Sequence, residues 1–353
     1  MMIVVIILGC MAILSTIIPI LDRDAWWIRI FDFPRIQIIV IALALLIAFI
    51  PWWDRRNIPD NIFMGLLAIA MVYQIIHMLP YTSLWKKQVL NPRDGEIGET
   101  ISLLVTNILM TNRNGDLYRE LLTRVNPDVH LILEADTWWE EELRETEDLF
   151  SDYVLYPLEN TYGMLLYSKL PLEEVEVKLL AESDIPSIHA KVVLPGGGRV
   201  QLHCVHPRPP GHGKNPNTTH RDAELLAVAR EVSKSDLPAI VTGDFNDVAW
   251  SYTTTLFQRI SGLLDPRVGR GLYSTYHAGY PFFRFPLDHI FHSHHFRIQT
   301  FRRLQYIGSD HFPLYAELRY VGGDDIQEAI VVLEEHQEAM QEKLRKVELI
   351  DEF

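Results

Sequence analysis

The sequence is short of three things. Cysteine occurs only twice in 353 residues, as Cys10 in an apolar run and Cys204 in a probable-strand pattern. Two such thiols define no disulfide framework. No Cys/His cluster has zinc-site spacing, which argues against zinc as the native ion. Basic residues are also scarce, 32 Lys and Arg against 46 Asp and Glu, for a formal net charge of −14. No Lys/Arg run interleaved with aromatics is present either. This argues against a nucleic-acid binder that relies on a broad basic surface. It does not exclude an enzyme that reaches phosphates through metal ions. Finally, Ile3 to Leu21 carries no charge. It has no basic n-region and no clear small-residue cleavage site, so it is not read as a cleaved signal peptide.

What the chain does have is apolar length at its start. Ile3–Leu21, Ile36–Trp53 and Ile62–Tyr81 are long runs, each able to cross roughly 30 Å of hydrocarbon at about 1.5 Å per residue. Trp26, Trp27, Trp52, Trp53, Tyr81 and Trp85 stand at their ends, where an interfacial belt belongs. Residues 1–85 are therefore expected to form a three-helix transmembrane anchor, with Asp22–Arg35 and Asp54–Asn61 as connectors. Arg23, Arg29, Arg35, Lys86, Lys87 and Arg93 lie on the side of the C-terminal domain, and Arg55 and Arg56 on the other. By that count the domain faces the cytoplasm.

Residues 86–99 are polar and read as a linker. Beyond them, polar residues recur at the ends of apolar strand-like runs. Thr100–Thr106 ends at Asn107, and Val129–Leu133 at Glu134. Asn107 has a simpler alternative as a turn residue, and Glu134 as a helix N-cap. Ile188–Leu194 and Arg199–Val205 form a hairpin signal across Pro195–Gly198, and the second strand runs into His206. Alternation sets Leu202, Cys204 and His206 on one face and Gln201, His203 and Val205 on the other. His203 is expected to be packing or surface.

The key stretch is Pro238–Asn246, where Ala239-Ile240-Val241 ends at Thr242-Gly243 and Asp244 and Asn246 follow at alternate positions. A carboxylate and an amide would then face one site, a pair suited to a water and a phosphoryl oxygen beside a metal. Phe285–Phe291 carries Asp288, and Ser309-Asp310-His311 precedes the strand Tyr315–Tyr320.

In order and context, this set resembles the endonuclease/exonuclease/phosphatase superfamily over about residues 100 to 320, with Gly-Asp-Phe-Asn and Ser-Asp-His the specific motifs. The resemblance implies a four-layer α/β sandwich, two mixed β-sheets flanked by helices. It implies Mg²⁺ as cofactor, with Mn²⁺ as a substitute, held by the Glu134 carboxylate with Asn107 and Asp310 as nearby oxygen ligands or orienting groups. Asp244 would orient or deprotonate water, and Asn246 would hold that water or a phosphoryl oxygen. His311 would stabilise the developing charge or protonate the leaving group. Asp288 would fix its tautomer, and His206 would contact phosphate from the other side. One departure is Leu109, where many nuclease members have a second acidic ligand. Asn112 is a candidate for nearby space and substrate contact, as is Arg208 from the loop Pro207–Thr219, with Lys214 and Arg221 as further phosphate contacts. Arg221 suits a capping or salt-bridge role equally.

The tail, 323–353, reads as an acidic amphipathic helix with a short heptad seam including Ile326, Ile330, Leu333, Met340 and Leu344. It would either pack on its own domain or self-associate. The expected whole is an anchor (1–85), a linker (86–99), a catalytic domain (100–322) and the tail. The function expected is that of a membrane-anchored metal-dependent phosphoesterase acting on a phosphate ester or pyrophosphate, lipid-linked because the enzyme is tethered. An anchored nuclease and an idle membrane scaffold are the alternatives. The resemblance to bacterial anchored members places it in a plasma membrane facing outward, against the Arg/Lys count.

Overall fold

The computed structural model describes residues 1–21, 24–211, 216–322, 330 and 333–351. It divides into two units: Met1–Lys86 with Pro210–Thr218, and Lys87–Pro209 with Thr219–Phe353.

In the first unit, α1 (Met2–Ile17), α3 (Arg35–Phe49) and α4 (Ile58–Met78) pack together, and the short α2 (Trp26–Arg29) lies between α1 and α3. With their flanking 3₁₀ turns, α1, α3 and α4 give three candidate membrane spans, Met2–Ile20, Arg35–Trp52 and Ile58–Tyr81. Each ends in a turn holding a proline, Pro19, Pro51 or Pro80, whose ring cannot continue a helix. Ala12, Ala42, Phe49 and Leu67 fill the interior, while Ile3, Ile7, Val40, Ile47, Ile69 and Ile76 point outward. Helices apolar on both faces suit a lipid environment. One buried polar chain links all three: Gln74 Nε2 donates to Thr16 Oγ1 (3.0 Å), and Arg35 donates to Gln74 (2.9 Å) and Asp32 (2.6 Å). The segment Pro210–Thr218 belongs here as well. Asn217 bridges to Ala25, and Trp26 N donates to Pro216 O. The loop expected to serve the substrate is thus partly tied to the helical unit; His212 and Lys214 lie outside the described residues.

The second unit has eleven strands: β1 (Glu99–Asn107), β2 (Val129–Leu133), β3 (Asp152–Tyr156), β4 (Met164–Ser168), β5 (Leu172–Lys178), β6 (Ser187–Val193), β7 (Arg199–Val205), β8 (Ala239–Asp244), β9 (Asp288–His292), β10 (Phe296–Arg303) and β11 (Leu314–Tyr320). One sheet runs β10-β11-β1-β2-β4-β3 and the other β5-β6-β7-β8-β9. Each contains one parallel pair, β1 with β2 and β7 with β8, and is otherwise antiparallel.

Strand alternation builds the layers. Leu103, Val105, Leu131 and Leu133 of the first sheet meet Leu202, Cys204, Ile240 and Ile290 of the second in one central core. The opposite face of the first sheet is covered by α5 (Gly115–Val125) and α6 (Thr137–Leu143), with Trp139 buried over Ile132 and Leu165. The opposite face of the second sheet lies under α7 (Thr219–Ser233), α8 (Tyr252–Ser261) and α9 (Glu334–Asp351), which contribute Leu226, Phe257 and Met340. This is the expected sandwich of two mixed sheets flanked by helices.

The polar segment before β1 is docked, and the described part of the tail takes the first of its two expected alternatives. Residues 87–98 are docked rather than a free linker. Val89 is fully buried in the central core, Leu90 O accepts from Ile298 N, and Glu96 pairs with Arg297 at 2.8 Å. The tail seam turns inward: Met340 and Leu344 pack against α7 and α8 residues. The earlier part of the seam, including Ile326, lies outside the described residues.

Candidate active site

Topology brings the polar strand ends together. The parallel pair β1 and β2 ends side by side at Asn107 and Glu134. The parallel pair β7 and β8 likewise delivers His206 and Asp244. Strand β9 is antiparallel to β8, so its first residue, Asp288, is the register partner of Asp244. Strand β11 is antiparallel to β1, which carries Asp310 and His311 back beside Asn107.

Asp244, 1% exposed, is held on both oxygens. Asn246 N donates to Oδ1 (2.8 Å) and Asn107 Nδ2 to Oδ2 (3.2 Å). The same Oδ2 faces His311 Nε2 at 3.5 Å and His206 Nε2 at 3.9 Å. Asn107 Nδ2 also donates to Glu134 Oε1 (2.8 Å), while its Oδ1 accepts from Leu109 N (3.1 Å). In this arrangement Asn107 is an orienting group that ties two carboxylates together. His311 Nδ1 donates to Asp288 Oδ2 at 2.7 Å.

Burial opposes charge on His311, but the carboxylates of Asp288, Asp244 and Asp310 outweigh it and push the imidazolium up to about 10. Because the folded value is raised, this group stabilises the fold fully below the unfolded value of about 6.5 and loses that contribution as pH rises through about 10. Removing an adjacent opposite charge is worth roughly 1–3 pH units. Asp288→Asn is therefore expected to let His311 lose its proton at a pH lower by that amount, as read from the titration of its ring resonances by NMR. An unchanged titration would remove Asp288 from this role.

Backbone conformation also marks the site. Glu134 and Asn246 have φ of 60° and 49°, a left-handed geometry rare outside glycine and asparagine that concentrates at functional positions. Gly243 has φ 139°, and a Cβ there would lie 1.9 Å from Val205 O. Only glycine lets β8 approach β7 so closely just before Asp244.

Asn112 and Arg208 have other work. Asn112 is buried; Nδ2 donates to Ile108 O and Ile307 O (both 3.1 Å), and Oδ1 accepts from Asn114. A Cβ on Gly308 would fall 2.6 Å from that Oδ1. Asn112 is thus a brace beneath the Ser309-Asp310-His311 turn and has no hydrogen left to offer a substrate. Arg208 is committed to Glu182 (2.8 Å) and Asp184 (2.9 Å) and lies over the Tyr162 ring. Glu134 is not the cap of α6; Asp136 is, accepting from Trp139 N.

Sequence reading missed two neighbours. Ser309 Oγ donates to Asn107 O (2.7 Å) and accepts from His311 N (3.0 Å), joining the Ser-Asp-His turn to the end of β1. Its place in the triplet was the available signal. Tyr276 forms a backbone bridge with His311, their rings 4.9 Å apart. Burial, then the charges of Asp310, Asp244 and Glu134, raise its hydroxyl above the ordinary tyrosine value. No local pattern marks that residue.

The same observation bears on a metal. Three carboxylates converge near Tyr276, and among the described residues none of them forms an ion pair with a lysine or arginine. Glu134 and Asp310 are both partly exposed hard oxygen donors, the ligand type that a divalent cation of the Mg²⁺ kind takes. Asp244, Asp288 and His311 also place ligand-capable atoms within 4.8 Å of one another. There both ring nitrogens of His311 already face carboxylates, Nδ1 that of Asp288 and Nε2 that of Asp244.

Comparison with known proteins agrees with this architecture. No curated protein matches the chain. The human Nocturnin catalytic domain with bound sulfate anion is similar in structure, with TM-score 0.52 and 17% identity over 63% of this chain and 95% of that one. An endonuclease/exonuclease/phosphatase protein from Bacteroides vulgatus has TM-score 0.51 and 17% identity over 62% and 98%, and one from Bacteroides thetaiotaomicron has 0.50 and 17% over 64% and 99%. At such identity the likeness is one of fold. The sequence pattern of the Endonuclease/Exonuclease/phosphatase family matches residues 104–311, more than half of the chain. The chain belongs to that family.

Proposed function

We propose that this protein is a membrane-anchored, divalent-metal-dependent phosphoesterase that hydrolyses a phosphate ester or pyrophosphate, with water as nucleophile. The carrying observation is the single buried cluster in which Asn107, Asp244, Asp288 and His311 are hydrogen-bonded or charge-paired in series beside Glu134.

Glu134 and Asp310 would hold the cation, with Asn107 orienting Glu134. A bound divalent ion would supply charge neutralisation at the phosphoryl oxygens. Mg²⁺ is the proposed ion, with Mn²⁺ able to replace it. The protein's own residues do the rest. Asp244, fixed on both oxygens, accepts a hydrogen from the attacking water and aims it. Asn246, whose Nδ2 rests on Pro207 O at 3.0 Å, limits where that water sits. His311, charged and held by Asp288, donates a hydrogen bond to the oxygen that gains charge and can pass its Nε2 proton to the leaving group. His206 lies on the other side of Asp244, with Nδ1 free of any hydrogen-bond partner among the described residues, and is left to contact phosphate.

A lipid-linked substrate is favoured by the three candidate spans and by Tyr280, Phe282 and Phe283, which are 61%, 83% and 60% exposed. They lie on the loop whose Ala278 N donates to Asp310 O at 2.6 Å. The proposed setting is a bacterial plasma membrane with the site facing outward. Cleavage of added substrate by intact spheroplasts, and not only by lysed ones, would support that side.

The test is phosphate release by the full-length protein in detergent, offered a polyprenyl pyrophosphate, a phospholipid and plasmid DNA in parallel. We expect Mg²⁺-dependent, EDTA-sensitive turnover of a lipid and not of DNA. Nicking of DNA alone would replace the lipid reading with a nuclease. No turnover of any of them would favour a scaffold.

A further inference from the structure

A second cluster lies on the opposite face of the β7 sheet and plays no part in the reading above. His189 and His203 are direct cross-strand partners on β6 and β7, 4% and 2% exposed. Their Nδ1 atoms are 2.7 Å apart. Glu231, from the last turns of α7, completes a set whose ligand-capable atoms all lie within 4.8 Å of one another. We infer that His189, His203 and Glu231 form a separate site for a zinc-class dication, binding β6, β7 and α7 together.

The hydrogen bonds fix the tautomer that such a site needs. Ser187 Oγ donates to Lys178 O (3.2 Å), so it accepts from His189 Nε2 (2.8 Å). The lone pair of His189 therefore lies on Nδ1 and points into the cluster. A metal-bound imidazole that donates its other N–H to an oxygen is the usual outer-shell arrangement. The cross-strand contact then requires a proton on His203 Nδ1, which an incoming cation would displace to Nε2. Burial lowers the pKa of both rings, so both are neutral, as ligands must be. Burial alone would raise the Glu231 carboxyl, but its hydrogen bond to Lys178 outweighs that and holds it below the ordinary carboxylate value. Glu231 is bonded to Lys178 at 2.8 Å, yet Lys178 has Glu176 at 3.4 Å as an alternative partner. The Glu231 side chain is 37% exposed and offers an entry route.

Two nitrogens and one carboxylate suit zinc or cobalt in tetrahedral coordination with a water as fourth ligand. They suit magnesium poorly, which prefers oxygen and octahedral geometry. This inference does not depend on the proposed reaction.

The test is titration of the metal-free, full-length protein in detergent with Co²⁺, under excess Mg²⁺ to keep oxygen-rich sites filled. We expect one equivalent of Co²⁺ to give the intense visible absorption of a tetrahedral site, and Zn²⁺ to bleach it. The band should be lost in His203→Gln and in Glu231→Gln and kept in Asp310→Asn. Zn²⁺ should raise the melting temperature of the parent protein and not of the first two variants. Should His203→Gln fail to fold by circular dichroism, the part-exposed Glu231→Gln carries the comparison. No tetrahedral band in the parent, or a full-strength band in a folded variant of either ligand, overturns the site.

Discussion

Asp244→Asn is expected to lower kcat by about 10³-fold, within the range of roughly 10²–10⁴ for removing a positioned acid–base group, while leaving the fold intact. The expectation follows from what each oxygen touches. Oδ1 accepts from Asn246 N and Oδ2 from Asn107 Nδ2, with two imidazole nitrogens 3.5 and 3.9 Å from the latter. An asparagine of the same shape must turn an NH₂ toward one of these donors, so one contact becomes donor against donor. It also removes one of the three carboxylates that keep His311 charged. Both effects act on the attacking water or the leaving group rather than on the core. The measurement is kcat on whichever substrate the phosphate-release test identifies, together with the melting temperature. A variant that keeps activity within a few-fold of the parent would refute the assignment of Asp244. One that loses activity only by unfolding would make it a structural residue.

Much of this arrangement was legible in the sequence, and what was not has a physical pattern. Interior strands carry apolar runs with abrupt polar ends, which is why β1, β2, β7, β8 and β11 could be read close to their observed bounds. The strands that left little signal, β3, β5 and β10, are all sheet edges. Edges are kept soluble by charge, and β5, Leu-Glu-Glu-Val-Glu-Val-Lys, is mostly exposed. Strand β9 is also an edge, but it is fully buried and was recognised.

The site followed the same logic. Residues at the ends of buried strands come together in the structure because the strand itself aims them. Asn112 and Arg208 sit in loops, where a side chain's task depends on partners far along the chain. For Asn112 that partner is Ile307 O, 195 positions away; for Arg208 the partners are Glu182 and Asp184. His189 and His203 were hidden for a related reason. Their pairing is a matter of hairpin register, and Glu231 joins them only once α7 lies on the sheet. A ligand set drawn from two strands and a helix has no spacing to read.

Lys343→Met is expected to destabilise the protein by about 3 kcal/mol, the lower end of the cost of removing one partner from a buried ion pair. Lys343 reaches from α9 to Asp222 Oδ2 at 2.7 Å, with the two side chains 6% and 1% exposed. Asp222 Oδ1 accepts from Arg221, whose guanidinium also pairs with Asp247 at 3.1 Å and donates to Asn246 O at 2.9 Å. The tail helix therefore ends a buried network that includes, among the described residues, the cations Lys343 and Arg221 and the anions Asp222 and Asp247, and that supports the Asn246 turn. Burial alone would raise the Asp222 carboxyl, but Lys343 and Arg221 hold it below the ordinary carboxylate value. With a depressed folded value, its stabilising contribution is present above the unfolded value of about 3.8 and lost as pH falls. The methionine keeps the stem's volume but leaves one negative charge unbalanced. Arg221 remains, which is why the low end of the range applies. Adding Asp222→Asn restores neutrality, so the double variant should recover more than half of the lost stability in denaturant or thermal unfolding. A double variant no more stable than Lys343→Met alone would show that α9 contributes only its apolar contacts. The same pair separates two effects on catalysis. If the network holds the Asn246 turn, kcat falls in the single variant even well below its melting temperature and rises again in the double.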